Sequence, residues 1–243
     1  MKRLLLFISI CLSVHLAYAQ REKVLHNPNY DAKRIRMGIS LGFNTMNYRI
    51  LPTSDLLVPF FQDSVQHLEA IPSVGFNLAF ITDLRLNDHF NLRTQPGLQF
   101  GQRNLHYTMR NMYEVNDDGS MKTYDYTMKI STIYVDVPLL VKYNARRINN
   151  YRPYIIAGGS IKYDLETLRT RRNNSKYTIS QVPLDYFYQF GFGVNWYFVY
   201  FKFATEFKFE FGARNILQSE NVEYAEVIDK LYSRLFVISM HFE

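Results

Sequence analysis

The chain has 243 residues, 47% hydrophobic and 21% charged, with 28 Lys and Arg against 22 Asp and Glu. Its 11 Gly and 8 Pro are too few for a disordered or collagen-like chain. A mean hydropathy of −0.20 excludes a polytopic helical membrane protein, though not a membrane β-barrel, in which only alternate residues meet lipid. The outlier is aromatic content: 19 Phe, 19 Tyr and one Trp make up 16% of the chain. Rings suit pleated, half-buried surfaces, so the expectation moves toward β structure.

Lys2 and Arg3 precede a largely apolar run, Leu4 to Leu16, and Ala17-Tyr18-Ala19 forms a small-x-small cleavage signal. This predicts a secretory signal peptide over residues 1–19, cut between Ala19 and Gln20 and too short to anchor the chain. A lipoprotein signal using Cys11 is the weaker alternative, because bulky Ile10 precedes it and the apolar run continues past it. Cleavage removes the single cysteine, and with it any disulfide or thiol chemistry. It also takes Lys2 and Arg3, leaving 26 basic residues against 22 acidic ones. That dispersed excess does not suggest nucleic-acid binding. Residues 20–34 read as a periplasmic leader and 35–243 as one domain.

From Ile35 onward apolar residues recur at period two, the spacing of strands. Met37, Ile39, Leu41 and Phe43 share one face of the first strand, and Val74, Phe76, Leu78 and Phe80 one face of the second. The third runs from Phe90 to Phe100. The fourth sets Ile133, Val135, Val137, Leu139 and Val141 against Tyr134, Asp136 and Lys142. Upstream of it, Met128 and Ile130 fall in the opposite phase, which predicts a bulge or the membrane boundary near Ser131. Tyr154 to Leu165 is a weaker fifth strand. Phe190 to Trp196, Phe201 to Phe211 and Phe236 to Phe242 complete eight.

Connections alternate in length. Short ones fall around Asn87-Asp88, Asn144 to Asn150 and Val199; long polar ones span Leu51 to Ser73, Asn104 to Tyr126, Glu166 to Asp185 and Ala213 to Lys230. An all-β, eight-stranded antiparallel up-and-down transmembrane barrel, with both termini periplasmic, is the architecture that shows this alternation. A soluble lipocalin-like barrel also has eight alternating strands, but it points its apolar face inward. Here the polar face carries most strand glycines, as a crowded small lumen requires, and the other face carries repeated Phe with Tyr and Trp near strand ends. On this register Arg36, Arg93, Asp136, Lys142, Lys162, Asp164, Lys202, Glu206, Lys208 and Glu210 point inward. Lone buried charges are costly, so they are expected to form ion pairs filling the lumen.

Tyr134–Tyr143 (YVDVPLLVKY), Pro153–Leu165 (PYIIAGGSIKYDL) and Gln189–Gly212 resemble the PorT-like outer-membrane barrel family of Bacteroidota. In that family a Tyr-x-acid-(Val/Ile)-Pro-Leu-Leu strand precedes a Pro-Tyr strand. Asn27-Pro28-Asn29-Tyr30-Asp31, leading into Gly38 to Tyr48, is similar to the barrel component of the type IX secretion system within it. The resemblance implies a role in exporting proteins across the outer membrane. It also implies, as partners, other type IX proteins (an outer-membrane translocon and periplasmic components) and outer-membrane lipid. An eight-stranded barrel has no room for a protein cargo, so such a role is that of an accessory partner to a larger pore. The alternative is a stand-alone small barrel, structural or adhesive, with function in its long loops.

No catalytic, cofactor-binding or metal-ligating residue is assigned. Ser239 and His241 share the inward face of the last strand, but a polar-network role fits them better than catalysis. His26, His67, His89 and His106 lack metal-ligand spacing, and there is no Gly-rich phosphate loop or Gly-x-Ser-x-Gly elbow. Two basic clusters remain. Arg169, Arg171, Arg172 and Lys176, in the third long loop, are candidates to contact lipopolysaccharide phosphates. Arg146, Arg147 and Arg152 flank a short turn and are candidates to dock a partner. For both clusters simple solvation is the alternative.

Overall fold

The structure is a computed structural model that describes residues 24–52, 63–115, 121–172, 179, 181–218 and 228–243; the predicted signal peptide lies outside the described residues. The strands are β1 (Ile35–Pro52), β2 (Asp63–Ile71), β3 (Ser73–Arg85), β4 (Phe90–Thr94) and β5 (Gly97–Val115). They continue with β6 (Met121–Asn144), β7 (Tyr151–Asp164), β8 (Leu184–Tyr197), β9 (Lys202–Gly212) and β10 (Ile228–Phe242). They make eight staves. Pro72 divides β2 from β3 and Gln95-Pro96 divides β4 from β5, because proline cannot donate to the ladder. Each stave pairs antiparallel with the next, and β1 pairs with both β10 and β3, which closes the ring. Closure removes the exposed edges of an open sheet.

The ring is inside-out relative to a soluble protein. Met37, Phe43, Phe76, Leu139, Ile155 and Phe192 project outward and are exposed, while all ten charged residues expected in the lumen are buried, none more than 5% exposed. A contiguous apolar exterior of this kind needs hydrocarbon to cover it. On β8 and β9 it is a ladder of stacked rings, with Phe190 against Phe209 at 5.2 Å and Phe192 against Phe207 at 5.4 Å between centroids. Tyr143, Tyr151 and Trp196 rim the band at the short-turn end, and Tyr163, Tyr186 and Tyr188 lie toward the other rim. Amphipathic rings occupy such boundaries.

At Ser131 the structure resolves the bulge-or-boundary alternative. β6 runs unbroken, and its even-numbered residues Met128, Ile130, Thr132, Tyr134 and Asp136 all face the lumen. The phase is constant and the polarity inverts. Beyond the band Asn104 lies opposite Lys129 and His106 opposite Thr127 on the outer face, while Leu105 lies opposite Met128 within. The staves therefore leave the membrane and continue as a water-soluble crown with an apolar core of Tyr48, Leu105, Tyr107, Met128, Ile130 and Leu231.

Two expectations need correction on this account. The described residues of the stretches Leu51 to Ser73 and Asn104 to Tyr126 are largely strand (β2, and parts of β5 and β6), because outward polar residues on an extramembrane strand imitate loop composition. β6 alone has 24 residues, about 80 Å of strand, where a tilted span needs about 10 residues. The third long connection also opens with a helix, Leu165–Arg172, which the sequence did not suggest. Three short turns close the other end. At the first, the Asn87 Oδ1 accepts from the backbone N–H of His89 and Phe90 at 2.9 and 2.7 Å.

The register gives a quantitative test. Phe207 is central in the outward row of β9, opposite Phe192 and Ile238, whereas Phe203 is the second residue of the strand. Phe207→Arg is expected to cost ~2–4 kcal/mol in equilibrium unfolding from lipid, and Phe203→Arg only ~0–1 kcal/mol, as charge cost falls toward the interface. Equal losses at the two positions would contradict the placement of the band.

Candidate functional site: the filled lumen and its capped mouth

Among the described residues the lumen buries seven cations (Arg36, Arg93, Arg103, Lys142, Lys162, Lys202, Lys208). It also buries seven carboxylates (Asp83, Asp136, Asp164, Asp185, Glu206, Glu210, Glu243). The interior is thus charge-balanced. Below the crown, Arg103 donates to the Thr132 hydroxyl at 2.7 and 3.1 Å and to Ser233 at 3.1 Å. It lies 3.4 Å from Asp164 and 4.4 Å from the Tyr48 ring centroid. In the middle, Lys162 sits 2.5 Å from Glu210 and 3.3 Å from Asp136, and donates to Gln99 at 2.7 Å.

Nearest the short turns, Arg93 grips Asp83 with two bonds at 2.5 and 2.6 Å, and reaches Glu243 at 2.7 Å and Glu206 at 3.5 Å. Paired guanidinium–carboxylate contacts are among the strongest hydrogen bonds available, and desolvated charges require them. Lys142 lies 3.7 Å from the centroid of the Tyr154 ring, and the Tyr154 hydroxyl donates to Glu206 at 2.9 Å. That ring explains Gly193. A β-carbon there would lie 2.5 Å from the phenol carbon and oxygen of Tyr154.

Arg103, Asp83, Asp185 and Glu243 were not among the charged residues expected inside. Arg103 was legible, since it continues the phase of Gln95, Gly97, Gln99 and Gly101. Glu243 lies one residue past β10 and continues the inward phase of Ser239 and His241. Ser239 and His241 do face the lumen, but they take different partners. Ser239 accepts from Asn77 at 3.3 Å, and the His241 Nε2 lies 3.3 Å from Glu206. Of the other histidines, His106 is on the outer face beside Thr127, His67 is near Glu69 outside the band, and His89 is in a short turn. No group of three metal-ligating side chains forms among the described residues. Arg169 is on the helix beside Glu166 at 3.7 Å. The side chains of Arg171, Arg172 and Lys176 lie outside the described residues.

The leader caps the mouth. A 3-10 turn, Tyr30–Ala32, lays Tyr30 edge-on against Tyr197 at 6.4 Å between centroids, and the Tyr30 hydroxyl donates to Glu243 at 3.4 Å. Burial, then the Glu243 charge, push the Tyr30 phenol well above its ordinary range. Asp31 accepts from the Tyr197 hydroxyl at 2.8 Å and pairs with Arg152 at 3.2 Å and Arg36 at 3.4 Å. Arg147 stacks 3.7 Å over Tyr197 and donates to the carbonyls of His26 and Asn27 at 2.5 and 3.4 Å. Asn150 donates to the Val24 carbonyl and accepts from the His26 N–H, both at 2.9 Å. Arg147 and Arg152, read from sequence as sites for another protein, are thus engaged by the chain's own leader. Arg146 stays exposed.

Two outcomes follow for the cap. Arg147→Ala removes charge-assisted bonds of ~1.5–3 kcal/mol in total. Protease should then cut within residues 24–34 roughly tenfold faster or more, with the barrel intact on gels. Acid should also loosen the cap. Burial alone would raise the Glu243 carboxyl, but Lys202 and Arg93 outweigh it and hold it at about 2. A depressed carboxyl stabilises the fold above its ordinary value and loses that contribution as pH falls through the depressed one. Pepsin access to the leader should therefore rise between about pH 4 and pH 2, and Glu243→Gln should flatten that rise.

No curated protein sequence matches the chain. Among solved structures it is similar to the outer membrane protein OprG from Pseudomonas aeruginosa, at 13% identity and a TM-score of 0.42, covering 85% of this chain and 93% of that one. It is also similar to Ail, the attachment invasion locus protein of Yersinia pestis (8%, TM-score 0.35, 85% and 96% covered). A third is Neisserial surface protein A (10%, TM-score 0.36, 84% and 95% covered). Residues 18–218 match the outer membrane protein beta-barrel domain family. With that match over most of its length, the chain belongs to this family and is an outer-membrane β-barrel.

Proposed function

We propose that the protein is a barrel component of the type IX secretion system, similar to PorT, and that it supports export as an accessory partner rather than as the conduit. The observation that carries the second half is the filled lumen, whose seven buried cations and seven buried carboxylates leave no passage of protein size. The first half rests on motif resemblance, and the motif residues sit at working positions. Tyr134 flanks Arg103 at 5.3 Å, Asp136 holds Lys162, and the Pro138 carbonyl accepts from Thr94 at 2.8 Å. Tyr30 and Asp31 of the leader motif form the cap. In this reading the short turns, the leader and both chain ends face the periplasm. The partners are the outer-membrane translocon and periplasmic components, and the long-loop end meets the outer leaflet, with Arg169 near lipopolysaccharide.

A stand-alone structural or adhesive barrel is the second reading. The observation that favours it is the crown, a folded extramembrane extension broad enough to carry a binding surface of its own. The leader argues for neither, since its contacts are made within the chain.

Deleting the gene is expected to trap several exported proteins in the periplasm together, as loss of a shared machine part does. The purified barrel in planar bilayers should give no large, stable conductance. Normal export in the deletion strain would transfer the assignment to the stand-alone barrel; a protein-sized conductance would remove the accessory role.

A further inference from the structure

Beside the cap the mouth opens into a cleft of about 300 Å³, lined by the leader at Asp31 and Ala32 and by two neighbouring short turns. Five arginines reach it: Arg36, Arg85, Arg146, Arg147 and Arg152. Their charges are not equally committed. Arg36 and Arg152 share Asp31, and Arg85 pairs with Asp88. Arg147 meets only neutral acceptors, namely backbone carbonyls and the Asn150 amide, with Tyr197 beneath it. Arg146 is exposed and makes no ion pair among the described residues. Against its own two carboxylates, Asp31 and Asp88, the cleft therefore keeps three positive charges, and Arg146 and Arg147 are the two arginines with no carboxylate partner among the described residues.

We propose that this cleft is a docking site for an acidic peptide segment of another protein, with Arg146 as its exposed contact and Arg147 as its seated one. None of the lining residues belongs to the outward apolar face, so the site opens along the barrel axis toward water and not toward lipid. Arg146 is exposed, whereas Arg147 spends its donors on the leader and the turn, so the two offer single charges at different depths and not a set of free donors aimed at one centre. Separate single charges suit successive carboxylates along a chain, whereas a phosphate dianion is best held by several donors aimed at one point. Clustered surplus charge of one sign also steers encounter with a partner of the opposite sign. The proposal gives chemistry to the partner of the accessory reading and rests on that reading for its cellular meaning only. Binding is measured on the purified protein, so it can fail while the deletion phenotype stands, or hold while export is normal.

The experiment uses the full mature barrel in nanodiscs of zwitterionic lipid, with fluorescein-labelled hexaglutamate as the probe. Saturable binding is expected at low salt, weakening as salt is raised. Arg146→Glu should weaken it roughly tenfold, Arg146→Lys should largely restore it, and Arg169→Glu at the opposite end should leave it unchanged. Absence of saturable binding would overturn the proposal, and so would equal weakening by Arg146→Glu and Arg169→Glu, which would signal diffuse attraction. Displacement of the peptide by inorganic phosphate where chloride of equal ionic strength does not displace it would assign the cleft to phosphate instead.

Discussion

The buried ion network is the constraint on which the rest of this barrel depends. An eight-stave ring is too narrow to keep its lumen wet, so every inward charge loses its hydration and must find it again in a neighbour. The seven cations and six of the seven carboxylates do so in tiers, Asp185 making no ion pair among the described residues: Arg103 with Asp164, Lys162 with Asp136 and Glu210, Arg93 with Asp83 and Glu243. Partners come from different staves, so each tier holds only if the staves keep their register. A slip of one residue would turn a whole set of charges into hydrocarbon. Ion pairs that add little to net stability can still fix a unique arrangement. Here they fix which Phe meets lipid, and they do it around the whole ring.

That coupling explains which parts of the fold could be read from the sequence. Alternation in the band is unambiguous because the two faces meet opposite solvents. Met37, Ile39, Leu41 and Phe43 on β1 are typical, and the inward residues follow at once. The same rule misled above the band. Asn104, His106, Thr127 and Lys129 are outward strand residues, but with water on that side they have loop chemistry, and Leu105 and Met128 opposite them look out of phase. Nothing local separates an inverted strand from a polar loop that happens to contain a few apolar residues. The deciding fact is pairing between β5 and β6, which is a property of two distant segments.

The mouth was hidden for a related reason. Arg147 and the leader are far apart in sequence, yet Arg147 donates to the carbonyls of His26 and Asn27, and Asn27 donates to the carbonyl of Phe198 in another short turn. A basic turn in isolation looks like a site awaiting a partner, and so does a leader rich in Asn, Tyr and Asp. Brought together they satisfy one another. Only Arg146, adjacent to the residue that does the capping, is left facing water. Arg152 is paired with Asp31, whereas Arg146 makes no ion pair among the described residues.

The two ends of the barrel are closed by different physics, and this bears on where activity resides. At the long-loop end the staves close over an apolar core that water-exposed strands protect, much as in a soluble domain. At the other end closure is polar and made by a segment outside the ring, held by Tyr197, Arg147 and Asp31. An apolar core opens only with its whole strand system, at a cost near that of unfolding. A cap held by a few charge-assisted bonds opens by a few kilocalories per mole, the range in which a bound partner can shift an equilibrium. With the lumen filled between them, the two ends share no passage of protein size. Of the two closures, the one within reach of such a shift is therefore the cap at the short turns, held by few contacts.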